Sequence, residues 1–125
     1  MKKARIGIIG VGWWGTVGHL EPLVKDEKAE VVAVYSRTEA KAKQRAERYG
    51  VGRYYSDYRR MIAECELDGV VLATTPNMHY EQARYALEHG LHVLMEKPFV
   101  FKAEQAVDLA RIAKDTASFA VKTYA

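Results

Sequence analysis

The chain has 125 residues, 49% hydrophobic and 28% charged, a balance that suits one globular domain and excludes a disordered polypeptide. A net charge of +3 without a dense Lys/Arg run gives no reason to expect nucleic acid as a partner. The single cysteine, Cys65, excludes an internal disulfide, and no apolar run approaches the roughly 18–20 residues that a membrane span needs.

In chain order, "ARIGIIG" (4–10) reads as a first strand that ends in a glycine turn. The short apolar run after Lys2 and Lys3 therefore does not read as a signal peptide. The expectation is a soluble, cytoplasmic protein in which Cys65 packs as a small apolar residue. From Gly15 to about Lys25 the spacing predicts a helix with Val17, Leu20 and Val24 on one face, kinked or shortened by Pro22. "AEVVAVYS" (29–36) is a second strand, apolar almost throughout, as expected of a sheet covered on both faces. A charged helix follows from Thr38, its expected N-cap, to Tyr49, closed by Gly50.

"RYYS" (53–56) is a short third strand, and Asp57 caps a helix that runs to about Cys65. "DGVVLATT" (68–75) is the fourth strand. Pro76 to His89 is a helix with Tyr80, Ala83 and Leu87 inward and Gly90 as its C-cap. "LHVLMEKP" (91–98) is the fifth strand, Ala103 to about Lys114 the last helix, and "ASFAVKTY" (117–124) a sixth strand. Strands alternating with helices across short connections predict a single α/β domain over residues 1–125. The expected architecture is a doubly wound, mostly parallel six-stranded sheet, the Rossmann fold. Such sheets bind ligands at the carboxyl ends of their strands, near the switch point.

The residues after each strand fit that placement. Gly10-Val11-Gly12-Trp13-Trp14-Gly15 follows a strand and opens a helix, which is the context a dinucleotide turn requires. Gly10 permits the tight turn, Gly12 lets a pyrophosphate approach the backbone, and Gly15 lets the helix pack on the strand. Trp13 and Trp14 fall where the backbone N–H matters and the side chain points away. One indole is expected to flank the cofactor toward the nicotinamide and the other to pack outward, or both simply pack. The second strand ends in Ser36-Arg37-Thr38, where an NAD-preferring site places an acid. Hydroxyls and a guanidinium there suit a 2′-phosphate, so the expected cofactor is NADP, with NAD the alternative. Thr74, Thr75, Pro76, Asn77 and His79 follow the fourth strand, at the rim beside the glycine loop. A lone His in that place is ordinarily a packed or capping residue and gains weight only from its neighbours. Glu96-Lys97-Pro98 follow the fifth strand. On chemistry alone, Glu96 and Lys97 either pair with each other or place Lys97 in the crevice as a proton donor. No metal-ligating constellation stands out.

Taken together, "IGIIGVGWWG", "VYSRT" and "TTPNMHYEQARYALEHGLHVLMEKPF" resemble the Gfo/Idh/MocA family of NAD(P)-dependent oxidoreductases over nearly the whole chain. The resemblance implies hydride transfer between the cofactor and a sugar, inositol or diol. It implies that Gly10, Gly12, Trp13 and Trp14 form the pyrophosphate and nicotinamide-side loop. Ser36, Arg37 and Thr38 would face the adenosine ribose, and Thr74, Thr75, Pro76, Asn77 and His79 would line the central wall. Glu96 would sit near the nicotinamide ribose, and Lys97, aimed by Pro98, would be the catalytic residue at the substrate oxygen. Members also carry a second domain that supplies the substrate pocket, and none of it is expected within these residues. The expectation is a cofactor-binding half with little turnover of its own, its small-molecule substrate held only with a missing or partner domain. The alternative is a stand-alone dinucleotide-binding module, and a binder of another nucleotide such as coenzyme A leaves Lys97 without a role. An apolar patch at Phe119, Val121 and Tyr124, open to a homo-oligomer, would favour the first of these.

Overall fold

The structure, a computed structural model, describes residues 2–96, 102–116 and 120–122. Its strands are β1 (Ala4–Ile9), β2 (Ala29–Tyr35), β3 (Arg53–Tyr55), β4 (Gly69–Leu72), β5 (His92–Met95) and β6 (Ala120–Lys122). They form one sheet in the order β3-β2-β1-β4-β5-β6, and every ladder is parallel. From the centre the chain first winds outward through β2 to β3, then returns and winds the other way through β4, β5 and β6. The reversal falls between β1 and β4, where side-by-side strand ends leave a crevice.

The helices are α1 (Glu21–Val24), α2 (Glu39–Tyr49), α3 (Tyr58–Cys65), α4 (Pro76–Glu88) and α5 (Ala103–Asp115). Alternation along the central strands divides the core between two faces. Ile9, Tyr35, Leu72 and Met95 pack under α3, α4 and α5, together with Met61, Leu87 and Leu109. Ile8, Val34 and Val71 pack under α1 and α2, together with Leu20 and Ala46. Complete burial of a side chain such as Ile8, Leu20 or Met61 is worth roughly 1.5–3 kcal/mol each.

The sequence and the structure part company in the first helix. Gly15–Leu20 is π-helical and runs straight into α1. The backbone N–H of Glu21 donates to Thr16 O, five residues back. Pro22 stands at the junction where the π-helical turn passes into α1, and it has no N–H to donate to the turn before it. The widened turn changes which residues face inward. Gly15, Thr16, His19 and Leu20 are buried, whereas Val17 is 40% and Val24 36% exposed. Of the three residues expected on one inner face, only Leu20 is there, because the expectation assumed an even 3.6-residue turn.

The other ends follow local chemistry more closely. The Asp57 carboxylate accepts from Arg59 N–H and caps α3 as expected. Thr38 does occupy the N-cap position of α2, but its hydroxyl makes no capping bond. Instead Ser36 Oγ accepts from Thr38 N–H at 3.3 Å. The helix closes on Gly50, whose φ is +71°. α4 is capped by His89, with Gly90 one residue beyond. Ala83 and Leu87 are buried as expected, and Tyr80 packs half-buried at the edge of the core. Cys65 is buried as a free thiol. Lys97, Pro98, Phe119 and Tyr124 lie outside the described residues, as does the side chain of Val121.

Candidate functional site

Backbone hydrogen bonds tie the strand ends into one rim. Gly10 N–H donates to Tyr35 O, Ser36 N–H to Tyr55 O, Ala73 N–H to Ile9 O and Glu96 N–H to Leu72 O, all at 2.8–3.1 Å. Side chains then fix the glycine loop. Val11 O accepts from Thr16 Oγ1 at 3.1 Å and from the Arg45 guanidinium at 3.2 Å, so the loop is held both by its own helix and by α2.

Each glycine of the loop answers to a different constraint. Gly10 has φ +107°, and a Cβ there would lie 2.7 Å from the backbone of Ala73. A Cβ on Gly15 would lie 2.0 Å from Gly10 O, so only glycine lets the helix start this close to the turn. A Cβ on Gly12 would meet no atom within 4 Å. That bare backbone opens on the cleft, and it is the space a pyrophosphate needs to reach main-chain N–H groups.

The cleft has a volume of about 290 Å³. Gly10, Val11 and Gly12 form its floor, Thr74, Thr75, Asn77 and Met78 one wall, and Tyr35, Ser36, Arg37 and Lys41 its β2 end. Among the described residues, no carboxylate lines it. Glu39 turns instead toward a separate, polar cavity beside β3. Among the described residues, Arg37 and Lys41 take part in no ion pair. Burial raises the Tyr35 phenol above its ordinary value, helped by Tyr58 and opposed by the Arg37 charge. A half-enclosed, cationic end beside an open backbone loop is suited to a phosphorylated nucleotide.

The wall after β4 is braced from behind. Thr74 Oγ1 donates to Gln82 Oε1 at 2.6 Å, and Thr75 Oγ1 to Asn77 Oδ1 at 2.7 Å. His79 is fully buried, with Nε2 3.0 Å from Thr74 O. It supports the loop from beneath, as a packed histidine at that place does, and the cleft's lining does not include it. At the first turn of α4, His79 points under the loop, and Pro76 likewise starts the helix without reaching the lining. Thr38 is exposed and also stands outside the lining.

The tryptophans open the helix that follows the loop, which is helical from residue 13. Trp13 is 73% and Trp14 44% exposed, and neither lines the cleft. Trp14 lies across Gly18, where a Cβ would fall 2.7 Å from the indole, and meets the His19 ring edge-on at 6.3 Å between centroids. His19 Nε2 in turn hydrogen-bonds the Glu96 carboxylate at the end of β5. Sequence reasoning missed Lys41, Arg45 and His19. Lys41 stands in the first turn of α2, four residues after Arg37, a closeness in sequence that was there to read. The His19–Glu96 contact spans 77 residues and left no local trace.

Among the described residues there is no metal-binding cluster and no helix long and apolar enough to cross a membrane. Residues 4–123 match the model of an oxidoreductase family with an NAD-binding Rossmann fold, GFO_IDH_MocA. The chain is 34% identical over 110 residues to the scyllo-inositol 2-dehydrogenase (NADP(+)) IolU of Bacillus subtilis, covering 88% of this chain and 33% of that protein. It superposes with a TM-score of 0.90 on a 3-ketoreductase of Actinomadura kijaniata solved with TDP-benzene and NADP, at 28% identity, covering 97% of this chain and 38% of that one. A scyllo-inositol dehydrogenase of Lactobacillus casei, solved with NAD(H) and scyllo-inositol, gives a TM-score of 0.86 at 26% identity, covering 94% of this chain and 35% of that one. The chain spans about a third of the length of the curated relatives it matches.

Proposed function

The chain belongs to the Gfo/Idh/MocA oxidoreductase family with its NAD(P)-binding Rossmann domain, and from that premise we propose that it binds NADP(H) in preference to NAD(H) as the cofactor domain of a dehydrogenase. The observation that carries the preference is the β2 end of the cleft, where Ser36, Arg37 and Lys41 stand together with no carboxylate among the described lining residues. An acid there would bind the ribose hydroxyls of NAD and repel a 2′-phosphate. Two cations and a hydroxyl do the reverse.

The remaining assignments are supported by the glycine loop and the family resemblance. Gly10 and Gly12 take the pyrophosphate on bare backbone, with Gly15 admitting the helix behind them. Thr74, Thr75 and Asn77 order the central part of the cofactor. Glu96, at the end of β5, and Pro98 are assigned to the nicotinamide side on the family resemblance alone. The bound cofactor supplies a hydride equivalent. Lys97 gives a proton to the carbonyl oxygen in reduction and takes it back in oxidation. The substrate class is a sugar, inositol or diol, and further protein, from the same chain or a partner subunit, completes its pocket. Without that wall the domain binds cofactor and turns over little, since positioning supplies many orders of magnitude in rate.

The test is a titration followed by tryptophan emission, with Trp13 and Trp14 at the loop as reporters. Saturable quenching by NADPH is expected. The absence of a saturable signal with either NADPH or NADH, checked by calorimetry, would overturn the reading.

A further inference from the structure

The peptide that joins Val11 to Gly12 is held more firmly than an open loop requires. Val11 O accepts from Thr16 Oγ1 at 3.1 Å and from Arg45 Nε at 3.2 Å. Gly12 O accepts from Thr16 N–H at 3.0 Å. Thr16 is buried in the helix behind the loop, and Arg45 reaches it half-buried from α2. Among the described residues, Gly12 N–H has no partner. In a planar trans peptide the C=O and the N–H point in opposite directions. Two donors on Val11 O therefore turn the Gly12 N–H to the side away from Thr16 and α2. Val11 and Gly12 both line the cleft, and a Cβ on Gly12 would meet open space. Such a hold matters most before a glycine. Turning the peptide over changes only ψ of Val11 and φ of Gly12, and glycine admits either sign of φ. The turned peptide would offer the cleft a carbonyl oxygen in place of an N–H, the wrong end of the dipole for an anion.

We propose that Arg45 is a positioning residue which, by holding Val11 O from α2, keeps the Gly12 N–H aimed into the cleft to receive a phosphoryl oxygen. The inference rests on the dinucleotide reading of the cleft and adds to it a residue outside the lining. Arg45 acts through its hydrogen bond to the loop, and its charge need not reach the ligand. Without that bond the loop divides between two orientations of one peptide. Apparent affinity then falls with the fraction that still presents the N–H. Thr16 holds the same carbonyl, so with one donor gone the other still biases the peptide, and with both gone it turns freely.

The test compares Arg45→Gln with Arg45→Met on the intact chain. In R45Q the amide nitrogen stands as many bonds from the backbone as Arg Nε, so the donor is kept and the charge is lost. R45M keeps the length and loses both. Both substitutions suit a helix, and the urea midpoint of each variant confirms that α2 is intact. R45M should bind NADPH about threefold to tenfold more weakly, and R45Q within about twofold of the parent. The double variant T16V/R45M should lose more than the product of the two single losses, because the two donors hold one carbonyl. In the parent, the Gly12 amide proton should move downfield in the NMR spectrum on saturation with NADPH, as it gains an anionic acceptor. An equal loss in R45Q and R45M would show that the charge acts and not the bond, and would overturn the inference. So would an R45M affinity equal to the parent's, or a Gly12 amide that does not move while NADPH binds. In each of these cases the dinucleotide reading stands. If the unaltered chain binds neither NADPH nor NADH, that reading falls and takes this inference with it.

Discussion

At the β2 end of the crevice, Arg37 and Lys41 line the cleft without an ion pair among the described residues, whereas at the β5 end the Glu96 carboxylate is already matched by His19. The difference follows from exposure. Arg37 and Lys41 are exposed and stay hydrated, so leaving them unpaired costs little. Glu96 is largely withdrawn from water, and an unmatched charge there would be expensive. One end keeps its charges available to an incoming anion. The other spends its charge on an internal bond and presents a fixed geometry. Between them lies a loop whose backbone alone is offered.

The loop serves both ends, so disturbing it should have the largest effect. Gly15→Ala places a methyl group 2.0 Å from Gly10 O and should cost about 3 kcal/mol or more of stability in urea denaturation. Gly12→Ala adds its methyl to open space. Its denaturation midpoint should stay near that of the parent while cofactor binding falls about tenfold or more, since the methyl occupies the approach to the backbone. If both variants lose stability alike, the loop is constrained by packing alone.

Removing the cations tests the β2 end by itself. The double variant Arg37→Ala/Lys41→Ala should lose about tenfold to hundredfold in NADPH affinity, with NADH changed by less than about twofold. Its residual binding should also depend less on salt. Equal losses for both cofactors would mean that neither side chain reads the 2′-phosphate. On the other side, Trp14→Ala removes the indole that lies on Gly18 and behind His19, and should cost about 1–2 kcal/mol. Trp13→Ala, at 73% exposure, should cost less than about 0.5 kcal/mol.

The smallest expected effect lies away from the crevice, where α4 meets α5. Asp108 accepts from Tyr80 OH at 2.5 Å and from the Arg111 guanidinium at 2.8 Å, and the two donors hold its carboxyl below the usual carboxylate range. Because the folded value is the lower one, the stabilisation is present at neutral pH and is lost as the pH falls through that value. Asp108→Asn should therefore be less stable than the parent at neutral pH, and the gap should close in acid. A gap that does not change with pH would contradict that origin.

How much of this could be read from residues alone depends on how locally each feature is written. The strands and the glycine loop were legible because apolar runs and bare backbone are local properties. The Asp57 cap was legible for the same reason, since donor and acceptor are two residues apart. The phase of the first helix was not. Its hydrogen bonds skip to five residues, and no local residue spacing announces a widened turn. His79 shows the converse. Its position after β4 suggested a packed or capping residue and the family resemblance a wall residue, and the turn of α4 sends the ring beneath the loop. The His19–Glu96 contact joins two segments that come together only when β5 takes its place beside β4.

The central claim is that this crevice reads the 2′-phosphate, and calorimetric titration of the intact chain with NADPH and NADH at matched ionic strength tests it most directly. NADPH is expected to bind at least about tenfold more tightly, the worth of one good charge-assisted contact. NADH binding equal to or tighter than NADPH would contradict it.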